Sequence, residues 1–340
     1  MMKNYFITWF YSEQANDESY YPSVGGSSSS AEFQYVYWRC IYVFYRTALA
    51  TNRDVVTDWM FFTNVENLPT VDGVDFQKFF EENGIKVVYR ELTRKTPKDW
   101  FGAWRNQFYL FDVLEYFKEE EPGNLLILDS DCVLTASLAG LYQDIEQKGV
   151  IAMPVGYADD HNINGCSIEQ MRAIYQEFFG KTDVSKLNYW GGEIIALSTK
   201  VLPELFPAFE EIWQKNRILY EKKAVKLNEE AHTLSLCYYR IGKYNDDGRK
   251  YTKRMWTDLK CDTVEKADLS LPIWHLPAEK KWGFQTMFSK LRGKNSLDAK
   301  EAKKMAGRIM GVGASRTYRK LRWYYRYGMK KLQRMGKKHE

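Results

Sequence analysis

The sequence has few cysteines and no long apolar run, and each shortage excludes a class of protein. Its five cysteines are scattered and lack C-x-x-C spacing, which argues against a disulfide framework or a cysteine zinc site. No stretch approaches the length of a membrane-spanning helix, and the first residues lead directly into a strand-like run without a cleavage site. With 45% hydrophobic and 16% aromatic residues, the chain can bury a full core. We therefore expect a globular protein of the reducing cytoplasm.

Positive charge is concentrated at the end of the chain. Residues 299–340 carry 14 Lys and Arg against two Glu, a net of +12, so the first 298 residues are net −7 in a chain of +5 overall. No nucleic-acid-binding motif accompanies this basic tail, and nucleic acid is not an expected partner.

The tail from about residue 315 to 335 has the pattern of an amphipathic helix. One side carries Leu321, Tyr324, Tyr325, Leu332 and Met335, another carries Arg319, Arg322, Arg326 and Lys330, and Trp323 and Tyr327 lie nearby. This pattern predicts docking on an anionic membrane surface, at the inner face of the plasma membrane. The alternative is a helix packed on the domain with solvated lysines.

Strand-like and helix-like segments alternate through the first half of the chain. Strands are predicted near residues 5–10, 59–64, 85–89, 125–129 and 150–154, with helices between them, and a late strand is predicted over residues 269–274. This alternation predicts an α/β fold with a doubly wound, mainly parallel sheet and helices on both faces. We expect a catalytic domain over residues 1–298, with halves of about 1–155 and 156–298, followed by the tail.

An Asp-x-Asp pair follows the predicted strand at residues 125–129. Asp129 and Asp131 end a run of four aliphatic residues, which is typical of a central strand covered on both faces. Buried carboxylates need compensation, and ligands of open α/β sheets bind at the carboxyl ends of strands. The pair therefore predicts a site for a divalent cation, Mn²⁺ or Mg²⁺.

Three further features suit the same chemistry: a Gly-Gly-Glu turn ending at Glu193, an acidic helix start at Glu229 and Glu230, and a late His275 followed by lysines. Transfer of a sugar from a nucleotide diphosphate needs a cation and a lysine at the leaving group, and a carboxylate facing the sugars. With these motifs, residues 4–290 resemble the GT-A class of nucleotide-sugar glycosyltransferases, of the glycogenin and lipopolysaccharide-galactosyltransferase type.

The resemblance implies roles for individual residues. Asp129, Asp131 and His275 would hold the metal, and Asp129 would also contact the ribose. A lysine would bind the diphosphate, with Lys281 preferred and Lys280 left open, while Thr8 and Arg105 are further candidates for the donor. Glu193 and Glu230 are the catalytic candidates. His161 and His232 are assigned no role at the metal.

The resemblance also implies substrates: a UDP-sugar donor and a glycan or lipid-linked glycan acceptor, in surface polysaccharide synthesis. The late histidine favours a retaining enzyme and the acidic helix an inverting one, so the stereochemistry stays open. One alternative is a sugar-phosphate nucleotidyltransferase, although residues 12–31, expected to be a mobile Gly/Ser loop outside the core, contain no Lys or Arg. Another is a non-catalytic binding protein built on this scaffold.

Overall fold

The structure is a computed structural model that describes residues 2–55, 57–258 and 261–336. Strands β1 to β11 are, in chain order, Lys3–Phe10, Asp58–Thr63, Thr70–Val71, Val74–Asp75, Ile85–Tyr89, Gly123–Leu128, Cys132–Leu134, Val150–Ile151, Ile194–Ser198, Thr252–Arg254 and Ile273–His275. Helices α1 to α10 are Ala31–Thr51, Phe76–Glu82, Tyr109–Tyr116, Ala139–Lys148, Ile168–Phe179, Leu202–Glu221, Glu230–Ile241, Gly283–Leu291, Ala299–Met310 and Arg316–Gly336.

A six-stranded sheet forms the centre of the protein, with the strand order β5-β2-β1-β6-β9-β8. The first four of these strands are parallel, whereas β9 runs antiparallel to β6 and β8 antiparallel to β9. The predicted α/β class and mainly parallel sheet are confirmed. Because β9 runs antiparallel to β6, its first residue Ile194 lies opposite Leu128, and the chain before β9 lies at the edge where the Asp-x-Asp pair follows β6.

Each face of the sheet carries its own apolar core. In β6, Leu125 and Ile127 belong to one core while Leu126 and Leu128 belong to the other, because successive strand residues point to opposite faces. Helices α3, α5, α6 and α7 cover the first face, and α1, α2, α4, α8 and α9 cover the second. This double covering explains why β6 reads as an uninterrupted aliphatic run, since all six of its residues are buried.

A second, three-stranded sheet, β10-β11-β7, lies beyond the end of β6. Strand β11 pairs parallel to β10 and antiparallel to β7, with His275 opposite both Arg254 and Cys132. Each of its strands has three residues, too few for a periodic signal, and the sequence predicted only β11, as residues 269–274. This small sheet joins residue 132 to residue 275 and so builds the site.

The segment from Ser12 to Ala31 is organised around the buried carboxylate of Glu13. That carboxylate accepts hydrogen bonds from the Ser19 amide and from the side chains of Ser19, Tyr21, Ser28 and Asn106. Val24 packs with Phe33 and Val36 in a small apolar cluster. The expectation that this segment contributes nothing to the core is therefore wrong, because Val24 is buried in that cluster.

The C-terminal helices lie against the domain. Ala302, Ala306 and Met310 of α9 are fully buried in the core that also contains α1 and α8. In the described part of the chain, no helix has the length and apolarity needed to cross a bilayer.

Candidate active site

The two aspartates and the histidine meet where the two sheets join. Strand β6 ends at Leu128, a tight turn follows in which the Cys132 amide donates to the Asp129 carbonyl at 3.1 Å, and β7 begins at Cys132. The Leu276 amide donates to the Asp131 carbonyl at 3.0 Å, which fixes the end of β11 beside this turn. Residues almost 150 positions apart are thus held together by backbone hydrogen bonds.

The side chains of Asp129, Asp131 and His275 converge, and one ligand atom from each lies within 4.8 Å of the others. His275 Nε2 is 3.5 Å from Asp129 Oδ2 and 3.3 Å from Asp131 Oδ2. Asp131 is buried, whereas the Asp129 side chain is 40% exposed and faces the cleft. The predicted ligands therefore share one site that is open on one side.

The close approach of charged groups in this cluster shifts their pKa values. Burial and the Asp131 carboxylate raise the pKa of Asp129 to about 6. Burial by itself would lower the pKa of His275. The nearby Asp131 carboxylate has the larger, opposite effect, and the pKa of His275 is raised to about 9. The imidazolium proton thus takes the place of a positive ion between the two aspartates. A divalent cation would replace that proton, since metal ligands bind in their deprotonated forms.

The donor atoms fit a divalent cation. Asp131 Oδ2 is buried and, among the described residues, has no partner in hydrogen-bond geometry, although His275 and Lys280 nitrogens lie at ion-pair distance. Two carboxylates and one imidazole form a mixed oxygen and nitrogen set that suits Mn²⁺ or Mg²⁺.

Lys280 rather than Lys281 reaches the cluster. Lys280 Nζ lies 2.9 Å from Asp131 Oδ2, and its side chain is 14% exposed. Burial opposes its charge, but the Asp131 carboxylate holds the pKa of Lys280 above its usual value. Lys281 instead lines a neighbouring cavity together with Trp282, Trp323 and Arg326.

Glu193 lies behind the histidine rather than in the open cleft. It is 2% exposed and accepts two hydrogen bonds from Arg254, at 2.9 and 2.7 Å. Burial would raise the pKa of Glu193, but the Arg254 guanidinium and His275 hold it well below its usual range. Its Oε1 lies 3.8 Å from His275 Nδ1. Arg254 was not predicted as a site residue, since the three-residue strand Thr-Lys-Arg that contains it carries no functional signal.

The acidic start of α7 contains two carboxylates with different surroundings. The Glu229 carboxylate accepts hydrogen bonds from Tyr189 Oη, at 2.8 Å, and from Asn164 Nδ2. His232 Nε2 lies 3.6 Å from Glu229 Oε1. Glu230 is also buried, but its Oε2 has no hydrogen-bond partner among the described residues. Burial and the Glu229 charge raise the pKa of Glu230 well above its usual value.

Glu230 packs on the Gly-Gly-Glu turn. A Cβ atom at Gly192 would lie 2.6 Å from Glu230 Oε1, so the absence of a side chain there lets the carboxylate approach the turn. The motif at residues 191–193 thus serves to bring Glu230 close to the turn that ends at Glu193.

The two remaining donor candidates, Thr8 and Arg105, are both buried. Thr8 donates its hydroxyl to the Leu128 carbonyl at 2.8 Å and so braces the end of β6, which favours a structural role. Arg105 is 5% exposed, and its Nε has no hydrogen-bond partner in the described ranges.

A cleft opens from the cluster towards β1. Its lining consists of aromatic side chains and of polar or charged ones. The aromatic residues are Trp9, Phe10, Tyr11, Tyr21, Phe33, Tyr37 and Trp104, and the others are Glu13, Ser28, Gln107, Asp129, Ser130, Asp131 and Lys280. Flat apolar walls beside a charged end are suited to a ligand with a ring system and an anionic group.

Comparisons with known proteins give similar structures of glycosyltransferases. No protein-family model matches the chain, and no curated protein matches its sequence. Mouse xyloside xylosyltransferase 1 in its apo form has a TM-score of 0.48 and 10% identity, covering 80% of this chain and 97% of its own. The galactosyltransferase LgtC, in complex with donor and acceptor sugar analogs, has a TM-score of 0.46 and 12% identity, covering 89% of this chain and 95% of its own. Glycosyltransferase GlyE of Streptococcus pneumoniae TIGR4 has a TM-score of 0.36 and 14% identity, covering 73% of this chain and 46% of its own.

Proposed function

We propose that this protein is a metal-dependent glycosyltransferase, a hexosyltransferase that moves a sugar from a nucleoside diphosphate, with UDP-sugars as the expected donors. The observation that carries the proposal is the convergence of Asp129, Asp131 and His275, with Lys280 beside them, at the end of a central strand. A divalent cation held there would neutralise the leaving diphosphate and lower the pKa of nearby carboxyls.

We assign separate roles in donor binding and catalysis to the residues around the cluster. Lys280 contributes positive charge to the diphosphate, and we assign it that role in place of Lys281. Arg105 is a second candidate, because a buried guanidinium with an unsatisfied Nε suits an anionic ligand. The aromatic walls of the cleft hold the nucleoside. Glu230 is the candidate general base: ionised once the bound cation has lowered its pKa, it would accept the proton of the acceptor hydroxyl. Glu193 supports His275.

The loop after β1 does not support the alternative hypothesis of a sugar-phosphate nucleotidyltransferase. That loop is organised around the carboxylate of Glu13, whereas a triphosphate requires backbone amides and cations.

Donor binding can be tested by thermal unfolding with a panel of nucleotide sugars. In the presence of Mn²⁺, we expect a UDP-sugar at 100 times its Kd to stabilise the protein by about 2.7 kcal/mol, which is a rise of several degrees in Tm. The same ligand without Mn²⁺ should produce a much smaller rise. Equal stabilisation with and without the metal would contradict the assigned site.

We also propose that α10 docks the enzyme on an anionic membrane surface, through side chains that differ in part from those predicted from the sequence. Three arginines of the predicted charged side contact the domain: Arg319 pairs with Asp262, and both Arg322 and Arg326 pair with Glu279. Tyr327, Lys330, Leu332 and Met335, also part of the predicted pattern, belong to α10, but their side chains are outside the part of the chain for which side chains are described.

The outward side of α10 is apolar and aromatic. Leu321, Tyr324 and Tyr325 are 64%, 57% and 70% exposed. Exposed cations accompany them on α9 and α10, namely Lys300, Lys304, Arg308, Arg316 and Lys320. Each cation near anionic lipid contributes about 1 kcal/mol, and the aromatic rings suit the interface. Such a surface would bring the enzyme to a lipid-linked glycan acceptor.

Flotation with vesicles that contain anionic lipid tests this surface. We expect the double variant Leu321→Ser/Tyr325→Ser to lose most of the binding, because both side chains would enter the interface. The matched control is Ile218→Ser/Val225→Ser, which removes two side chains of 48% and 49% exposure elsewhere on the surface. Equal loss in both variants, or binding that ignores lipid charge and salt, would refute the docking surface.

A further inference from the structure

The C-terminal helix reaches back to a buried carboxylate beside the site. Glu279 is fully buried, and it accepts hydrogen bonds from Arg322 at 2.9 and 2.7 Å and from Arg326 at 3.1 and 2.8 Å. Thr257 Oγ1 donates to the same carboxylate at 2.6 Å. A buried carboxylate without its cations is strongly unfavourable. The position of Glu279 therefore depends on α10 being in place.

Glu279 immediately precedes the lysine of the candidate active site. It ends the short helical turn Pro277–Glu279, and the next residue is Lys280, with its Nζ 2.9 Å from Asp131 Oδ2. The other end of this turn is fixed by the hydrogen bond from the Leu276 amide to the Asp131 carbonyl. The segment from His275 to Lys280 thus carries two groups of the cluster and is held at both ends.

The packing around this carboxylate is tight. A Cβ atom at Gly283, the first residue of α8, would lie 2.4 Å from Glu279 Oε2 and 2.9 Å from Met310 of α9. The turn therefore has little room to shift without moving α8, α9 or the arginines of α10.

We infer that Arg322 and Arg326 are positioning residues for donor binding: α10 fixes Glu279, and Glu279 fixes the Lys280 ammonium against the metal cluster. The inference rests on the proposed function, in which Lys280 contacts the diphosphate. Because coupling between two sites is reciprocal, a bound diphosphate also stabilises α10 on the domain. The basic tail is then part of the donor site as well as a surface helix.

The experiment is a double-mutant cycle on the full-length protein. Calorimetry would measure the Kd of UDP in the presence of Mn²⁺ for wild type, Arg322→Ala, Lys280→Ala and the double variant. We expect each single variant to weaken UDP binding about 10-fold, the size of one charge-assisted hydrogen bond. The double variant should bind no more weakly than Lys280→Ala alone, because Arg322 acts through Lys280. UMP, which lacks the second phosphate, should be much less affected.

Arg94→Ala is the matched control for general destabilisation. Arg94 is a largely buried arginine that pairs with Asp112, Glu115 and Glu210, away from Glu279. An equal loss of UDP affinity in Arg94→Ala, or additive losses for Arg322 and Lys280, would overturn the inference while leaving the proposed function intact. If wild-type protein binds no nucleoside diphosphate, the proposed function fails and the inference with it.

Should Arg322→Ala not fold, Arg322→Lys keeps the charge without the forked geometry and should weaken UDP binding in the same direction.

Discussion

Replacing Asp131 with Asn is expected to reduce sugar transfer by about 10³-fold, which corresponds to about 4 kcal/mol of activation free energy. Asp131 is the buried ligand of the cluster, and it contacts both His275 and Lys280. An amide at this position removes a negative charge from the metal site and leaves the lysine ammonium and the imidazole without their common partner. Measurement of the nucleoside diphosphate released from the donor, with Mn²⁺ at saturation, gives the effect directly.

The matched control for this substitution is Asp112→Asn. Asp112 is 3% exposed and pairs with Arg94 at 2.8 Å, so its burial and ion pairing resemble those of Asp131. Both variants should lose stability, because each leaves a buried cation without its carboxylate. Only Asp131→Asn should also lose transfer and Mn²⁺ binding. If Asp131→Asn transfers sugar at the wild-type rate, the metal site is wrongly assigned.

Replacing Glu230 with Gln is expected to lower kcat by about 10² to 10⁴-fold, the usual contribution of a general base. The carboxylate is buried, and one of its oxygens has no hydrogen-bond partner among the described residues. In contrast, Glu229→Gln should reduce stability more than turnover, since Glu229 is engaged by Tyr189 and Asn164. A base acting on the acceptor predicts an inverted anomeric centre, which NMR of the first-formed product would show. A retained product, or full activity in Glu230→Gln, would remove Glu230 from this role.

The same substitution has a predicted effect on stability that depends on pH. Burial and Glu229 raise the folded-state pKa of Glu230 well above the usual 4.5, so above that pH the folded protein binds more protons than the unfolded chain. The free energy of unfolding of wild type then falls as the pH rises from 4.5 towards the folded-state pKa. Glu230→Gln lacks this decline, and its stability relative to wild type should increase with pH. Urea unfolding at pH 5 and pH 8 would show a constant difference if Glu230 were ionised throughout.

The three residues that converge in the structure were recognisable in the sequence because strong local signals surround them. Asp129 and Asp131 follow a strand whose six residues are all buried, so the aliphatic run and the acids at its end were both visible. His275 was found because two lysines and a tryptophan follow it. Local sequence patterns of this kind are sufficient to predict strands of five or more residues and the polar residues that follow them.

The rest of the site depends on contacts that no local pattern encodes. Arg254 meets Glu193 across 61 positions, and Arg322 meets Glu279 across 43. The short turn after β11 brings Lys280 to Asp131, and neighbouring residues in such a turn point in different directions, which the sequence alone does not reveal. The amphipathic tail was recognised, but periodicity separates its two sides without showing which one contacts the domain.

The central claim is that the cluster of Asp129, Asp131 and His275 supports metal-dependent sugar transfer. The most direct test is release of nucleoside diphosphate from a panel of nucleotide sugars by the wild-type protein, with Mn²⁺ and after removal of divalent metal by EDTA. The account predicts turnover of at least one UDP-sugar with Mn²⁺, its loss with EDTA, and its recovery when Mn²⁺ is added back. Turnover at the full rate in EDTA would contradict the claim, and donor binding without turnover on any acceptor would indicate a binding protein instead.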